Sequence, residues 1–359
     1  MTESKILLFP LKLYFLFGYH PDCSQKFRKL ALLAGLWMYA FPFYLSIKGI
    51  LFYRKTDFLL MLECLEAAFL FGEPLFRHLA IHYHVSNLKN VLNLRQKAQI
   101  DGLEGESLFY YNLGKTFTFN YMIAGFVVLF GFCVQPFISG KLPATTYLPE
   151  GYFVTFCIYY TLSGCYVVVT VVTTDALFCS LCTTAIVNFK ILKRKIQNIK
   201  RTNLRHEVKK IVDQQNFLLR YCEALGEMYS DIFVVYFCFS IGAICMQTYI
   251  STNDQLESAI RIKTSIYAVG LFAQSILYSI SAENVLSAAS EIGDAAYDSP
   301  WYRFSDAQYT KSLVLVISKA QRKVIFSGRG LVTINFTTLT VIIKTAVSFY
   351  AYLNSLGSG

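Results

Sequence analysis

The sequence predicts an all-α membrane protein with seven transmembrane helices, and three observations carry that prediction. Hydrophobic residues occupy 55% of the 359 positions and charged residues only 16%, against roughly 45–50% and 25% in soluble proteins; mean hydropathy is +0.43. The apolar positions gather into blocks long enough to cross a bilayer. The 33 lysines and arginines fall mostly on alternate segments between those blocks, which sets an orientation. So few charges cannot cover a soluble surface, which excludes a soluble enzyme. The net charge of +10 then reads as membrane topology and not as a nucleic-acid footprint.

Taken in order, residues 1–29 form a cytosolic segment. Its apolar stretch, 6–17, is broken by Pro10 and Lys12 and lacks an A-x-A-like cleavage site, so it is not a signal peptide. Blocks 30–52, 58–76, 117–138 and 152–187 give spans one to four of a unit at 30–187. The second span is the least apolar, because it carries Glu63, Glu66 and Glu73. The fourth is longer than a bilayer needs, so the part beyond Asp175 continues as helix into the cytosol. Across 188–226, Leu192, Ile196, Ile199, Val208, Ile211, Leu218 and Leu225 recur at near-helical spacing among basic residues. This cytosolic helical anchor segment either lies on anionic lipid or forms a layer through which subunits associate. Spans five and six, 229–250 and 264–282, make the unit 229–282. A cytosolic segment, 283–330, holds a second helix over 306–326. That helix stops at Ser327-Gly328-Arg329-Gly330, splitting it from the last span, 331–353, in a unit at 331–356. Gly357-Ser358-Gly359 reads as an added tail.

Twenty-six basic residues lie on the N-terminal side of these spans and six on the other: Lys48, Arg54, Lys55, Lys141, Arg261 and Lys263. The N-terminus is therefore expected in the cytoplasm and the C-terminus outside. That orientation is the inverse of a G-protein-coupled receptor, and neither long outer loop holds a cysteine to bridge. The remaining basic residue, Lys344, falls mid-span, where an ionisable group costs about 2.5–3.5 kcal/mol. A buried acidic partner is expected for it, either a span-two glutamate or Asp175, in preference to a role in pore electrostatics. Cys179 and Cys182 form a CxxC without a second pair and read as packing residues. His78, His82 and His84 read as interfacial polar groups. No nucleophile–base set, metal cluster or cofactor motif converges, so no enzymatic activity and no cofactor are expected. The paired broken helices of a transporter are also missing.

The C-terminal third carries a specific pattern. Ala296-Tyr297-Asp298-Ser299-Pro300-Trp301-Tyr302, Ser318-Lys319-Ala320-Gln321-Arg322-Lys323, Ser327-Gly328 and Lys344-Thr345-Ala346-Val347-Ser348-Phe349-Tyr350 resemble, in order and spacing, the closing signature of insect odorant receptors. Upstream, Pro10-Leu11-Lys12 with Phe17-Gly18 is similar to that family's N-terminal helix, Tyr147-Leu148-Pro149-Glu150 to its second outer loop, and Asp175-Ala176-Leu177 to its fourth span. The related gustatory receptors end on a Thr-Tyr…Gln-Phe signature, whereas Thr345 here is followed by Ala346; that family is the runner-up.

The resemblance implies an inverted seven-helix subunit of a ligand-gated, non-selective cation channel in the plasma membrane of an olfactory dendrite, tetrameric with the shared odorant receptor coreceptor. The coreceptor's long insertion between spans four and five is missing, so the chain resembles a variable tuning subunit that binds a small volatile organic ligand. By the same resemblance, the pocket occupies the outer half of spans two, three, four and six, with a contribution from five. Helical faces there offer Glu66, Phe69 and Glu73 on span two, and Phe130, Cys133 and Phe137 on span three. Span four offers Tyr159, Ser163 and Tyr166 in line with Thr170, and span six offers Tyr267, Leu271 and Gln274 in line with Tyr278. The last span would line the pore. Tyr352 and Leu356 match the family's hydrophobic gate and Ser355 its polar filter position, with Thr345 and Ser348 extending that face inward.

Overall fold

The computed structural model describes residues 5–98, 103–140, 142–147, 151–199, 204–252, 258–303 and 306–357. In chain order it contains α1 (Lys5–Leu16), α2 (Gln25–Tyr53), α3 (Phe58–Tyr83), α4 (Val85–Gln96), α5 (Glu106–Ser139), α6 (Phe153–Gln197), α7 (Leu204–Thr252), α8 (Ser258–Tyr297), α9 (Ala307–Ala320), the two-residue strands β1 (Ser327–Gly328) and β2 (Val332–Thr333), and α10 (Phe336–Gly357). Among the described residues α2, α5, α6, α7 and α8 are long and apolar enough to cross a membrane. The second and seventh apolar blocks lie in α3, which also carries ionisable residues, and largely in α10. The chain is a multi-pass helical membrane protein.

Helix starts follow local capping chemistry. Ser24 accepts from the Phe27 amide, Asp57 from those of Leu59 and Leu60, and Asp306 from those of Gln308 and Tyr309, each satisfying a donor left unpaired in a first turn. The segment 188–226 is not one separate helix. α6 and α7, of 45 and 49 residues, run into it from either side. α6 stops at Asn198, whose side-chain amide donates to the Arg194 carbonyl. The anchor's apolar positions Leu192, Ile196, Val208, Ile211, Leu218 and Leu225 are buried in the largest core cluster with α8 and α9 residues such as Ile292 and Val316. They therefore pack a helical core with α8 and α9.

Two further departures concern the end of the chain. The second anchor helix ends at Ala320, and α10 begins only at Phe336 because the hairpin β1–β2 intervenes. Arg329 (φ 47°) and Gly330 (φ 72°) are both left-handed, and the Leu331 amide closes the turn on the Gly328 carbonyl at 2.8 Å. A Cβ on Gly328 would stand 2.9 Å from the backbone nitrogen of Val234, so only glycine seats the hairpin against α7. Arg329 then pairs with Asp231 on α7, which also hydrogen-bonds His84 at 2.9 Å.

Candidate functional site

A cavity of about 220 Å³ lies between α3, α5, α6, α7 and α8, small beside the ~300–1,000 Å³ of drug-sized sites. Its α3 wall is Glu66, Phe69, Leu70, Glu73 and Pro74; α5 adds Tyr121, Gly125 and Phe132. α6 presents Gly164, Val167, Val168, Val171 and Val172, α7 presents Tyr236, Phe239, Ala243 and Gln247, and α8 presents Tyr267, Leu271 and Gln274. Close helix approach sets the aromatic walls. A Cβ on Gly242 would meet the Phe69 ring at 2.5 Å and one on Gly164 the Phe132 ring at 2.3 Å, so these glycines are the seats of those rings.

One end of the cavity is closed by a buried ionic network that the sequence did not reveal. Arg77 is fully buried and pairs with both Glu73 and Asp175. Asp175, also fully buried, further accepts from Tyr121 at 2.6 Å, from Gln274 at 2.9 Å and from Tyr278. One carboxylate thus ties α3, α5, α6 and α8 together, and three members of the network, Glu73, Tyr121 and Gln274, form the cavity's polar floor. A charge held in an apolar bundle is tolerable only with such pairing. Arg77 was counted with the cytosolic charges, yet it stands one helical turn from Glu73, the i,i+4 spacing of an ion pair.

The expected site residues divide accordingly. Glu66, Phe69, Glu73, Tyr267, Leu271 and Gln274 share the cavity wall. Phe130 does not: it is 71% exposed, on the outer side of α5. Cys133 lies outside the wall, and the side chain of Phe137 falls outside the described residues. The span-four face turns the other way, since Tyr159 donates to the Trp37 carbonyl at 2.6 Å, Ser163 approaches the Met38 sulfur, and Tyr166 packs on Phe17 and Tyr39. That stripe holds α1 and α2, and the smooth Gly–Val face of α6 meets the cavity instead. Phe132, Tyr236, Phe239 and Gln247 were missed, though Gln247 is a lone amide in an apolar block and was a visible signal. His78 is buried, not interfacial: its ring nitrogens meet the Tyr19 hydroxyl at 2.8 Å and the Leu32 carbonyl at 3.2 Å.

On α10, Ile342 and Ala346 are buried against the bundle, with Cys245 Sγ 3.8 Å from the Ala346 carbonyl. Thr345, Ser348 and Tyr352 are exposed, while the side chains of Ser355 and Leu356 fall outside the described residues. Lys344 is exposed as well and has none of the buried partners expected for it, because Asp175 and Glu73 are taken by Arg77. Among the described residues no His, Cys, Asp and Glu cluster suits a metal.

The 7tm Odorant receptor family model matches residues 30–347. Odorant receptor 85b of Drosophila melanogaster is 23% identical over 192 residues, covering 52% of this chain and 48% of that protein. The odorant receptor coreceptor of Aedes aegypti is 22% identical over 153 residues, covering 43% and 32%. In sequence the chain thus spans about half, or less, of the length of these curated relatives. In three dimensions the olfactory receptor OR5 of Machilis hrabei, in complex with eugenol, superposes with a TM-score of 0.85 at 15% identity, over 98% of this chain and 97% of that one. The fold is therefore that of an insect olfactory receptor, and the family match decides between the odorant and gustatory signatures: this chain belongs to the 7tm Odorant receptor family.

Proposed function

We propose that the chain is the odorant-binding tuning subunit of a heteromeric, ligand-gated, non-selective cation channel, with the odorant receptor coreceptor as its partner. The observation that carries this reading is the cavity itself: an aromatic and aliphatic chamber in the helical bundle, with a few buried polar groups at its ends, in a chain of this family. A small volatile organic ligand would fill it, and α10 would line the pore, with Tyr352, Leu356 and Ser355 at the constriction and Thr345 and Ser348 below. The charge asymmetry supports a cytoplasmic N-terminus in the plasma membrane, and the buried anchor core supports a rigid cytosolic platform for neighbouring subunits.

Co-expression with the coreceptor, followed by recording of cation currents across a panel of volatiles, tests the proposal against the chain expressed alone. Ligand-dependent currents only in the pair are expected. Equal currents without the coreceptor would overturn the tuning-subunit role. Silence of a surface-expressed pair across a broad panel would count against ligand gating.

A further inference from the structure

The two ends of the cavity differ in how their polar groups are satisfied. At the floor, Glu73 has Arg77 and the Gln274 amide has Asp175. At the opposite end Glu66 and Gln247 meet across α3 and α7, the Gln247 Nε2 donating to Glu66 Oε1 at 3.1 Å. Both residues line the cavity and both are only 5% exposed. Among the described residues no cation pairs with Glu66, and the Gln247 carbonyl oxygen is buried without any donor. Glu66 and Gln247 therefore line one chamber together with Phe69 and Tyr267, with the Gln247 amide nitrogen bonded to Glu66 and its oxygen left without a donor. A buried acceptor left in this state is costly, and a guest that supplies an N–H or O–H group relieves the cost.

We infer that this end of the cavity selects small apolar ligands ending in a hydrogen-bond donor, a hydroxyl or a protonated amine, seated between Glu66 and Gln247. The inference rests on the reading of the cavity as the ligand site. An acceptor-only headgroup such as a ketone leaves the Gln247 oxygen unmatched, and an acid headgroup sets a second carboxyl group beside Glu66. Aromatic walls suit either accepted headgroup, because a cation gains from the ring faces and an alcohol from the apolar surface.

The test is a matched series on two tails, a six-carbon chain and a phenethyl group, each carrying a primary alcohol, a primary amine, a methyl ketone or a carboxylic acid. Currents of the receptor–coreceptor pair and thermal shifts of the detergent-purified full chain are both read. On at least one tail, the alcohol or the amine is expected to be about tenfold more potent than the ketone and the acid. Glu66→Gln separates the two donors: it removes an amine's advantage, since the charge is gone, and leaves an alcohol's within about threefold. Headgroup-ordered thermal shifts without currents would leave the inference standing and overturn the channel reading. Equal potency and equal shifts for all four headgroups, or a preference for the ketone, would overturn the inference while leaving ligand gating intact.

Discussion

At the scale of single residues, Asp175 ties four helices of the bundle together. It accepts hydrogen bonds from residues on three other helices, and among the described residues it is one of two carboxylates balancing a fully buried arginine. Removing one partner of a buried pair leaves an uncompensated charge, at a cost of roughly 3–5 kcal/mol. Asp175→Ala is therefore expected to abolish surface expression, which a surface-labelling assay with a coreceptor control reads directly. Lys344 makes the opposite prediction. Exposed on α10 and held by none of the described acids, it can be replaced by Met with expression retained, the effect appearing in ion permeation instead. Tyrosines separate in the same way. Tyr267→Ala is expected to shift ligand potency about tenfold, the scale of an aromatic contact plus its buried area. Tyr159→Phe, which loses only a hydrogen bond to the Trp37 carbonyl, should leave potency unchanged while loosening α2; equal effects of the two on potency would put the ligand elsewhere.

At the scale of elements, the geometry depends on which face of each helix turns inward, and this is where periodicity alone runs out. Seven apolar blocks were legible because a bilayer demands length and hydropathy; five lie in helices long and apolar enough to cross, and the other two in α3 and largely in α10. The inner face of α6 was not, because its Tyr159–Ser163–Tyr166 stripe and its Gly164–Val168–Val171 stripe are both compatible with burial. Only the docking of α1 and α2 against the former assigns the latter to the cavity. Arg77 was hidden for a related reason: a basic residue near a span end reads as topology until the helix is seen to continue to Tyr83. The small face has its own consequence. Gly164→Ala would drive the Phe132 ring from its seat and into the cavity, so bulky ligands should lose potency about tenfold while the smallest ones hardly change, a size-dependent signature of overpacking. In the anchor, Lys190 and Lys193 both bond Glu291, joining α6 to α8. Burial alone would raise the Glu291 carboxyl, but the hydrogen bonds from the two lysines outweigh it and hold it below the usual carboxylate range. Its stabilising contribution is therefore complete above the ordinary carboxylate pKa and is lost as pH falls through the depressed value. Glu291→Gln should lower the melting stability of the purified chain by about 1 kcal/mol near neutral pH, with the difference from the parent narrowing in acid.

At the scale of the whole molecule, cavity and last helix are joined through packed residues. Phe69, on the cavity wall, and Tyr350, on α10, both pack on the cluster formed by Leu62, Met246, Tyr249 and Ile250. At its other end α10 is tethered by the β1–β2 hairpin, which Arg329 and Gly328 hold to α7. A helix fixed at its base and touched near its far end by the cavity wall is suited to pivot when that wall moves, and on the proposed channel reading a hydrophobic constriction on it would need only a small rotation to wet or dewet. The exposed side of α10 carries Val341, Val347 and Tyr352, and on the channel reading proposed above it faces other subunits or the pore. Two substitutions on this helix should then fail differently. Tyr350→Ala removes a side chain from the shared cluster but not from the exposed face, so the maximal ligand-evoked current should fall while unliganded leak and cation selectivity stay as in the parent. Tyr352→Ala removes bulk from the exposed face, so leak or relative cation permeability should change while the rank order of ligands is preserved. Currents from both variants, recorded with the coreceptor across a ligand dose series and in bi-ionic conditions, separate the two roles. A pure potency shift from Tyr352→Ala would place it with the chamber, and α10 would then be a wall of the binding site and not of the pore.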